Sequence, residues 1–212
     1  YGRVFAEYMF IKDFNEGKLK NNLKIEGQDI LDNIKKTNKP VIFISGHFAN
    51  FELMAMELVK FGINLAAIYR PLNNFFLNPF MEYLRKKYVC PNQIKKGLNG
   101  VREAIKYIQK KHCLALMIDQ RVSEGSRINL FNKPALTTTL PAHLSSKFNL
   151  DIIPVYIERD KDNNFKIEFQ KRINPKNYKN KFDLTINLNQ ILEKMIIKNP
   201  NQWIWTHNRW KL

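Results

Sequence analysis

Hydrophobic and polar positions along this chain change period repeatedly, from about 3.6 to 2 residues, which is the signature of alternating helices and strands. Val4, Phe5, Tyr8 and Met9 with Lys12 follow helical spacing and predict a basic amphipathic opening helix that ends near Gly17. Residues 23–26 alternate as a short strand before Gly27. A helix over 29–36 leads to an apolar strand over 41–45, and a further helix runs from Asn50, its candidate N-cap, to Gly62. Residues 64–69 read as the next strand. Asn78 and Pro79 open a helix reaching about Tyr88, with Asn as cap and Pro in the first position. Val101, Ile105 and Ile108 stripe another helix, and 113–118 is a buried strand. Residues 119–139 read as a long polar loop, and such loops in compact domains tend to carry function. A helix around 141–148, strands at 152–159 and 165–170, and a helix at 184–198 complete the pattern.

Strands alternating with helices predict an α/β layered fold, with a central mixed, largely parallel sheet flanked by helices. The 212 residues suit one domain over 1–212, and 44% hydrophobic content excludes disorder. A formal charge of +16 points to an anionic partner: nucleic acid, an acidic protein, phosphorylated lipid or a membrane surface. A lysine-, asparagine- and isoleucine-rich coding bias accounts for part of that charge. Cys90 and Cys113 are not spaced for zinc and read as small buried hydrophobes in a reducing compartment. No run of about 18 apolar residues and no signal-peptide pattern occurs. The chain begins at Tyr1 rather than Met, so an upstream segment is expected to be missing.

The chemistry concentrates where strand 41–45 meets the next helix, at Gly46-His47-Phe48-Ala49-Asn50-Phe51-Glu52. Histidine takes a proton near neutral pH, and a carboxylate on its other ring nitrogen fixes the tautomer, so His47 and Glu52 read as a base and its orienter. Within one helix, positions i and i+5 lie about 140° apart and do not meet. The pair works only if His47 sits in the preceding turn, and a plain capping turn with a satisfied histidine is the competing reading. Asp119 and Gln120 follow strand 113–118, so they share the strand-end rim with His47 and are candidates to orient substrate or brace its turn. Arg70, ahead of Pro71, is a candidate fork for a phosphate or oxyanion. His112, His143 and His207 have no carboxylate at a comparable junction, and surface or packing roles suit the first two. Nucleophile-elbow, dinucleotide, P-loop and zincin motifs are absent.

The string GHFANFE resembles the GHFGNWE form of the lipid A late acyltransferases, within the H-x4-D/E acyltransferase superfamily. Agreement continues in order through Tyr69 to Asn74, Ile118-Asp119-Gln120 with Gly125, Phe131 to Ala135, the threonines 137–139, and Trp203 to Lys211. The departures are Ala49, Phe51 and Phe131-Asn132-Lys133. Glu124 to Arg127 also resembles the short EGTR element of phospholipid-making acyltransferases. The resemblance implies a glycerolipid-acyltransferase-like fold and transfer of a fatty acyl group from acyl carrier protein, or acyl-CoA, to a hydroxyl of a lipid A precursor. His47 and Glu52 would be catalytic, with substrate contacts from Asn50 and its neighbouring backbone, Arg70, Asp119, Gln120, Gly125, Arg127 and Arg209. Phe48, Phe51 and Met54 are candidates to line an acyl groove. No metal or redox cofactor is called for. A family anchor upstream of Tyr1, the basic opening helix and the Trp203 to Lys211 segment imply work at the cytoplasmic face of the bacterial inner membrane. The alternatives are an acyltransferase acting on a glycerophospholipid or other membrane lipid, and a basic nucleic-acid-binding module, for which no RNP, helix-turn-helix or finger pattern exists.

Overall fold

Four consecutive buried residues, Ile42 to Ser45, form strand β2 at the centre of the molecule. The computed structural model describes residues 2–211. In chain order its elements are α1 (Gly2–Glu7), α2 (Ile11–Asn15), β1 (Leu23–Glu26), α3 (Gln28–Thr37), β2 (Ile42–Ser45), α4 (Glu52–Lys60), β3 (Leu65–Tyr69), α5 (Leu77–Leu84) and β4 (Asn92–Lys95). There follow α6 (Leu98–Gln109), β5 (Cys113–Met117), β6 (Ser126–Leu130), β7 (Lys133–Thr137), α7 (Leu140–Phe148), β8 (Ile152–Arg159), β9 (Phe165–Phe169) and α8 (Lys181–Lys198).

Seven strands make one sheet in the order β1-β9-β8-β2-β5-β3-β4. Every neighbouring pair is parallel except β8 with β9, which a short turn joins. Side chains alternate across β2 with period 2. Phe43 packs in a layer with α1, α2, α3 and α4, while Ile42 and Ile44 face the layer holding α6, α7 and α8. The mixed, largely parallel sheet between helical layers is the architecture the sequence pattern predicts.

Several local expectations are corrected. The opening helix is not continuous, because a 3-10 turn at Tyr8–Phe10 separates α1 from α2 and drops Tyr8 into the core. Asn78 does not cap α5. Its side chain accepts the Leu72 N–H (2.8 Å), and Asn74 instead takes the Phe76 and Leu77 N–H groups, each at 3.0 Å. The end of α5 widens into a π turn over Arg85–Val89. Asn50 is not an N-cap either: α4 starts at Glu52 without a side-chain cap. The supposed loop 119–139 contains the antiparallel hairpin β6–β7, register Ser126↔Thr137 to Leu130↔Lys133. Edge strand β4 has no counterpart in the expected pattern, since Asn92-Gln93-Ile94-Lys95 carries one buried apolar residue.

Candidate active site

Strands β2 and β5 are parallel neighbours paired Ser45↔Met117, so the residues two positions beyond each end emerge side by side. Those residues are His47 and Asp119. The His47 Nδ1 lies 2.8 Å from Asp119 Oδ1, and the His47 backbone N–H donates to Oδ2 at 2.8 Å. The Trp203 indole N–H donates to the same Oδ2 at 2.9 Å, so the buried carboxylate is held from three directions. Burial alone would lower the His47 pKa, but the charge and hydrogen bond of Asp119 outweigh it and hold the value above the ordinary one. Burial pulls Asp119 upward, and His47 reverses this to leave its pKa low. Phe51 packs edge-on against the imidazole, with centroids 4.6 Å apart. With Nδ1 committed to Asp119, Nε2 is the nitrogen left for chemistry.

Asp119 therefore holds the place the sequence reading gave to Glu52. Glu52 begins α4 and is buried, but its Oε1 accepts from Arg85 Nη2 (2.6 Å) and Nε (2.9 Å) and from the Tyr8 hydroxyl. The physical reason is the helix start: i+5 spacing lets both side chains reach one cleft without meeting. The Arg85 guanidinium from the π turn takes the Glu52 carboxylate instead. Glu52 and Asp119 both raise the His47 pKa, and Arg85 opposes them.

His47 and Glu52 open on one groove of about 460 Å³. Its walls are largely apolar, from Phe5, Phe51, Met54, Ala67, Leu116, Met117, Val122 and Leu140, with Arg70, Lys96, Gln120 and His207 as polar members. The polar groups gather because the carboxyl ends of β2, β5, β3 and β4 all terminate there, as expected for open α/β sheets. Of the proposed substrate contacts, Arg70 and Gln120 line the groove and Asp119 sits behind His47. Asn50, Gly125, Arg127 and Arg209 do not line it. Asn50 is buried beside Glu7. Gly125 lets two backbones close up, since a Cβ there would meet the Thr137 and Val122 carbonyl oxygens at 2.7 and 2.8 Å. Arg127 is an exposed residue of β6. Arg209 is fully buried and donates to Leu136 O (2.9 Å) and Thr137 Oγ1 (2.7 Å). Phe48, expected in the groove, packs instead against Tyr156 in the α6–α8 layer.

Most of the Trp203 to Lys211 segment braces the site, while Trp205 remains exposed. Trp203 is buried on Asp119, the Arg121 side chain donates to Lys211 O (2.7 Å), and the Trp210 indole donates to Leu130 O (3.0 Å). Sequence reasoning passed over Lys96 and Arg85, and it named Tyr8 and His207 without placing them at the site. Each reaches the site from a different element, and no local spacing connects them.

Fold and site together define a basic α/β protein whose acid-backed histidine stands at the carboxyl edge of a largely parallel sheet and opens on a largely apolar groove. The family model for bacterial lipid A biosynthesis acyltransferase matches residues 1–212, and the chain belongs to that family. It is 23% identical over 201 residues to the lipid A biosynthesis acyltransferase of Haemophilus influenzae, a match covering 93% of this chain and 63% of that protein. The chain thus spans somewhat under two thirds of that relative's length. Among solved structures it resembles the 1-acyl-sn-glycerophosphate (LPA) acyltransferase PlsC from Thermotoga maritima. The TM-score is 0.52 and identity 14%, covering 96% of this chain and 89% of the other, a likeness of fold.

Proposed function

We propose that this chain transfers a fatty acyl group from an acyl thioester, carried on acyl carrier protein or coenzyme A, to a hydroxyl of a lipid A precursor. The observation that carries this reading is His47 with Nδ1 tied to a buried carboxylate and its ring on an apolar groove. His47 Nε2 takes the proton of the acceptor hydroxyl as the oxygen attacks the thioester carbonyl. The tetrahedral adduct then expels the thiolate, which receives the proton back from the imidazolium. Such base catalysis is worth about 10² to 10⁴ in rate. Asp119 fixes the tautomer and balances the imidazolium. Glu52, through Arg85 and Tyr8, fixes the start of α4 that forms the groove wall. Each methylene of the donor tail that enters the groove contributes about 0.8 kcal/mol.

The acceptor carries acyl chains, so the groove must open at a lipid surface. Phe75 (83% exposed) and Phe76 (89%) follow groove residues Leu72 and Asn73, and Phe80 and Tyr83 continue the exposed face along α5. Exposed Lys86, Lys87 and Lys12 lie on the adjoining elements. Aromatic side chains flanked by lysines suit the interface of an anionic leaflet. This exposed face supports a proposed site of action at the cytoplasmic face of the inner membrane, where a soluble donor would meet an embedded acceptor. No helix among the described residues is long and apolar enough to cross a membrane. The test is transfer from dodecanoyl thioester to an acylated, phosphorylated glucosamine disaccharide, with lysophospholipid as the rival acceptor. Product on the disaccharide alone supports the reading, and product only on lysophospholipid overturns the acceptor assignment.

A further inference from the structure

His207 is a second histidine of the groove, and nothing in the base mechanism uses it. Its Nε2 accepts the backbone N–H of Arg121 at 2.9 Å. A ring nitrogen that accepts an N–H is unprotonated, so in the neutral ring the proton resides on Nδ1. Burial, then the positive Arg209, His47 and Arg70 around it, lower its pKa despite Asp119, so the neutral form dominates at physiological pH. The two nitrogens point to different sides of an imidazole. With Nε2 turned to the Arg121 backbone, Nδ1–H is directed away from it, and the ring lines the same groove as His47. Nδ1 has no hydrogen-bond partner among the described residues.

The chain holds this donor rigidly. The Arg121 side chain grips Lys211 O (2.7 Å), and Trp203, four residues before His207, is pinned on Asp119 (2.9 Å). Asp119, which fixes His47, and Arg121, which fixes His207, stand two residues apart in the loop that follows β5. A fixed, neutral donor beside a fixed base is the arrangement an acyl transfer needs, since negative charge develops on the carbonyl oxygen as the hydroxyl oxygen attacks.

We propose that the Nδ1–H of His207 donates to the carbonyl oxygen of the acyl thioester and stabilises the oxyanion of the tetrahedral adduct. This rests on the acyl-transfer reading with His47 as base. The carbon–oxygen bond forms, the carbonyl π electrons move onto the oxygen facing His207, and His47 takes the hydroxyl proton. Collapse returns those electrons, breaks the carbon–sulfur bond and protonates the thiolate from His47. His207 donates a hydrogen bond and gives up no proton at any stage.

Three substitutions separate this role from a purely structural one. In His207→Asn the amide nitrogen stands near the Nδ1 position and preserves a donor, at the loss of the bond to Arg121. In His207→Gln the amide oxygen reaches the Arg121 N–H, at the loss of the donor. His207→Leu loses both. Steady-state transfer from dodecanoyl thioester to the disaccharide should show kcat lower by about 10² to 10³ in the Gln and Leu variants, with KM within a few-fold. The Asn variant should keep kcat within about tenfold of the unaltered protein, although its melting temperature falls further than that of Gln. The reverse order of activity, Gln active and Asn inactive, assigns His207 to bracing the loop and overturns the proposal. Full activity in all three overturns it equally. His47→Ala in the same assay keeps the two readings apart. An inactive His47→Ala beside a fully active His207→Gln removes only the oxyanion donor, whereas an active His47→Ala removes the base mechanism itself.

Discussion

The pair at the centre of the site joins residues 72 positions apart in the chain. Sequence spacing found His47 and placed Asp119 on the same rim, yet it assigned the orienting role to Glu52, because only near neighbours can be matched without knowing which strands are adjacent. Once β2 and β5 are parallel partners, the His47–Asp119 contact follows from register alone. The chemistry then has a pH signature. Because Asp119 holds the His47 pKa above its ordinary value near 6.5, the base form accumulates only above that value. Measured kcat/KM should rise with pH along a limb displaced upward accordingly. Asp119→Asn leaves burial as the main influence, so the limb should move to lower pH while the rate falls by on the order of 10³- to 10⁴-fold. A limb that stays in place would separate Asp119 from the base. Asp119 also links to stability. Its folded pKa is depressed, so its contribution is present above the unfolded value and disappears as pH falls through the folded one. Melting temperatures on the acid side should show a loss that is blunted in Asp119→Asn.

Helices and central strands were legible from periodicity, because each buries one stripe or one run in a layer large enough to impose the pattern. What escaped were elements whose partners supply the order. Hairpin β6–β7 reads as loop because Arg127, Asn129, Lys133 and Pro134 are exposed, and the hairpin is held by Asn189, Arg209 and Trp210 from the C-terminal third. The π turn after α5 is equally silent in sequence, yet it aims Arg85 at Glu52 across a contact of 2.6 Å. Burial works against the Arg85 cation, and the Glu52 charge more than restores it. Removing one partner of such a buried pair costs about 3 to 5 kcal/mol, because the other charge remains unpaired. Glu52→Gln should therefore lower unfolding free energy by about that amount in urea denaturation. The double variant Glu52→Gln with Arg85→Met should regain a substantial part of it. Additive losses would show that the two side chains do not act as a pair. Tyr8→Phe, which removes only the hydroxyl that donates to Glu52, should cost about 1 kcal/mol.

The charge of +16 and the exposed aromatics of α5 act together only at the level of the whole molecule. Composition pointed to an anionic partner, but it could not say which surface meets it. Sequence reading named the basic opening helix and the tryptophan-rich C-terminal segment, and in the latter the structure buries Trp203 and Arg209 while Trp205 stays exposed. A further exposed apolar face lies on Phe75, Phe76, Phe80 and Tyr83, beside the groove mouth, and Met9 and Phe10 of the opening segment are exposed as well. Lysines near an anionic leaflet contribute about 1 kcal/mol each and weaken with salt, whereas inserted aromatic surface is indifferent to salt. The two contributions can thus be separated by flotation with anionic and neutral vesicles at low and high ionic strength. Phe75→Ser with Phe76→Ser should reduce binding to both kinds of vesicle at all salt concentrations. Lys86→Gln with Lys87→Gln should reduce binding to anionic vesicles alone and flatten its salt dependence. Neither pair touches His47 or Asp119, so transfer to a detergent-dispersed acceptor should persist in both. Undiminished flotation of the serine variant would move the membrane face away from α5 and leave the groove opening toward another surface.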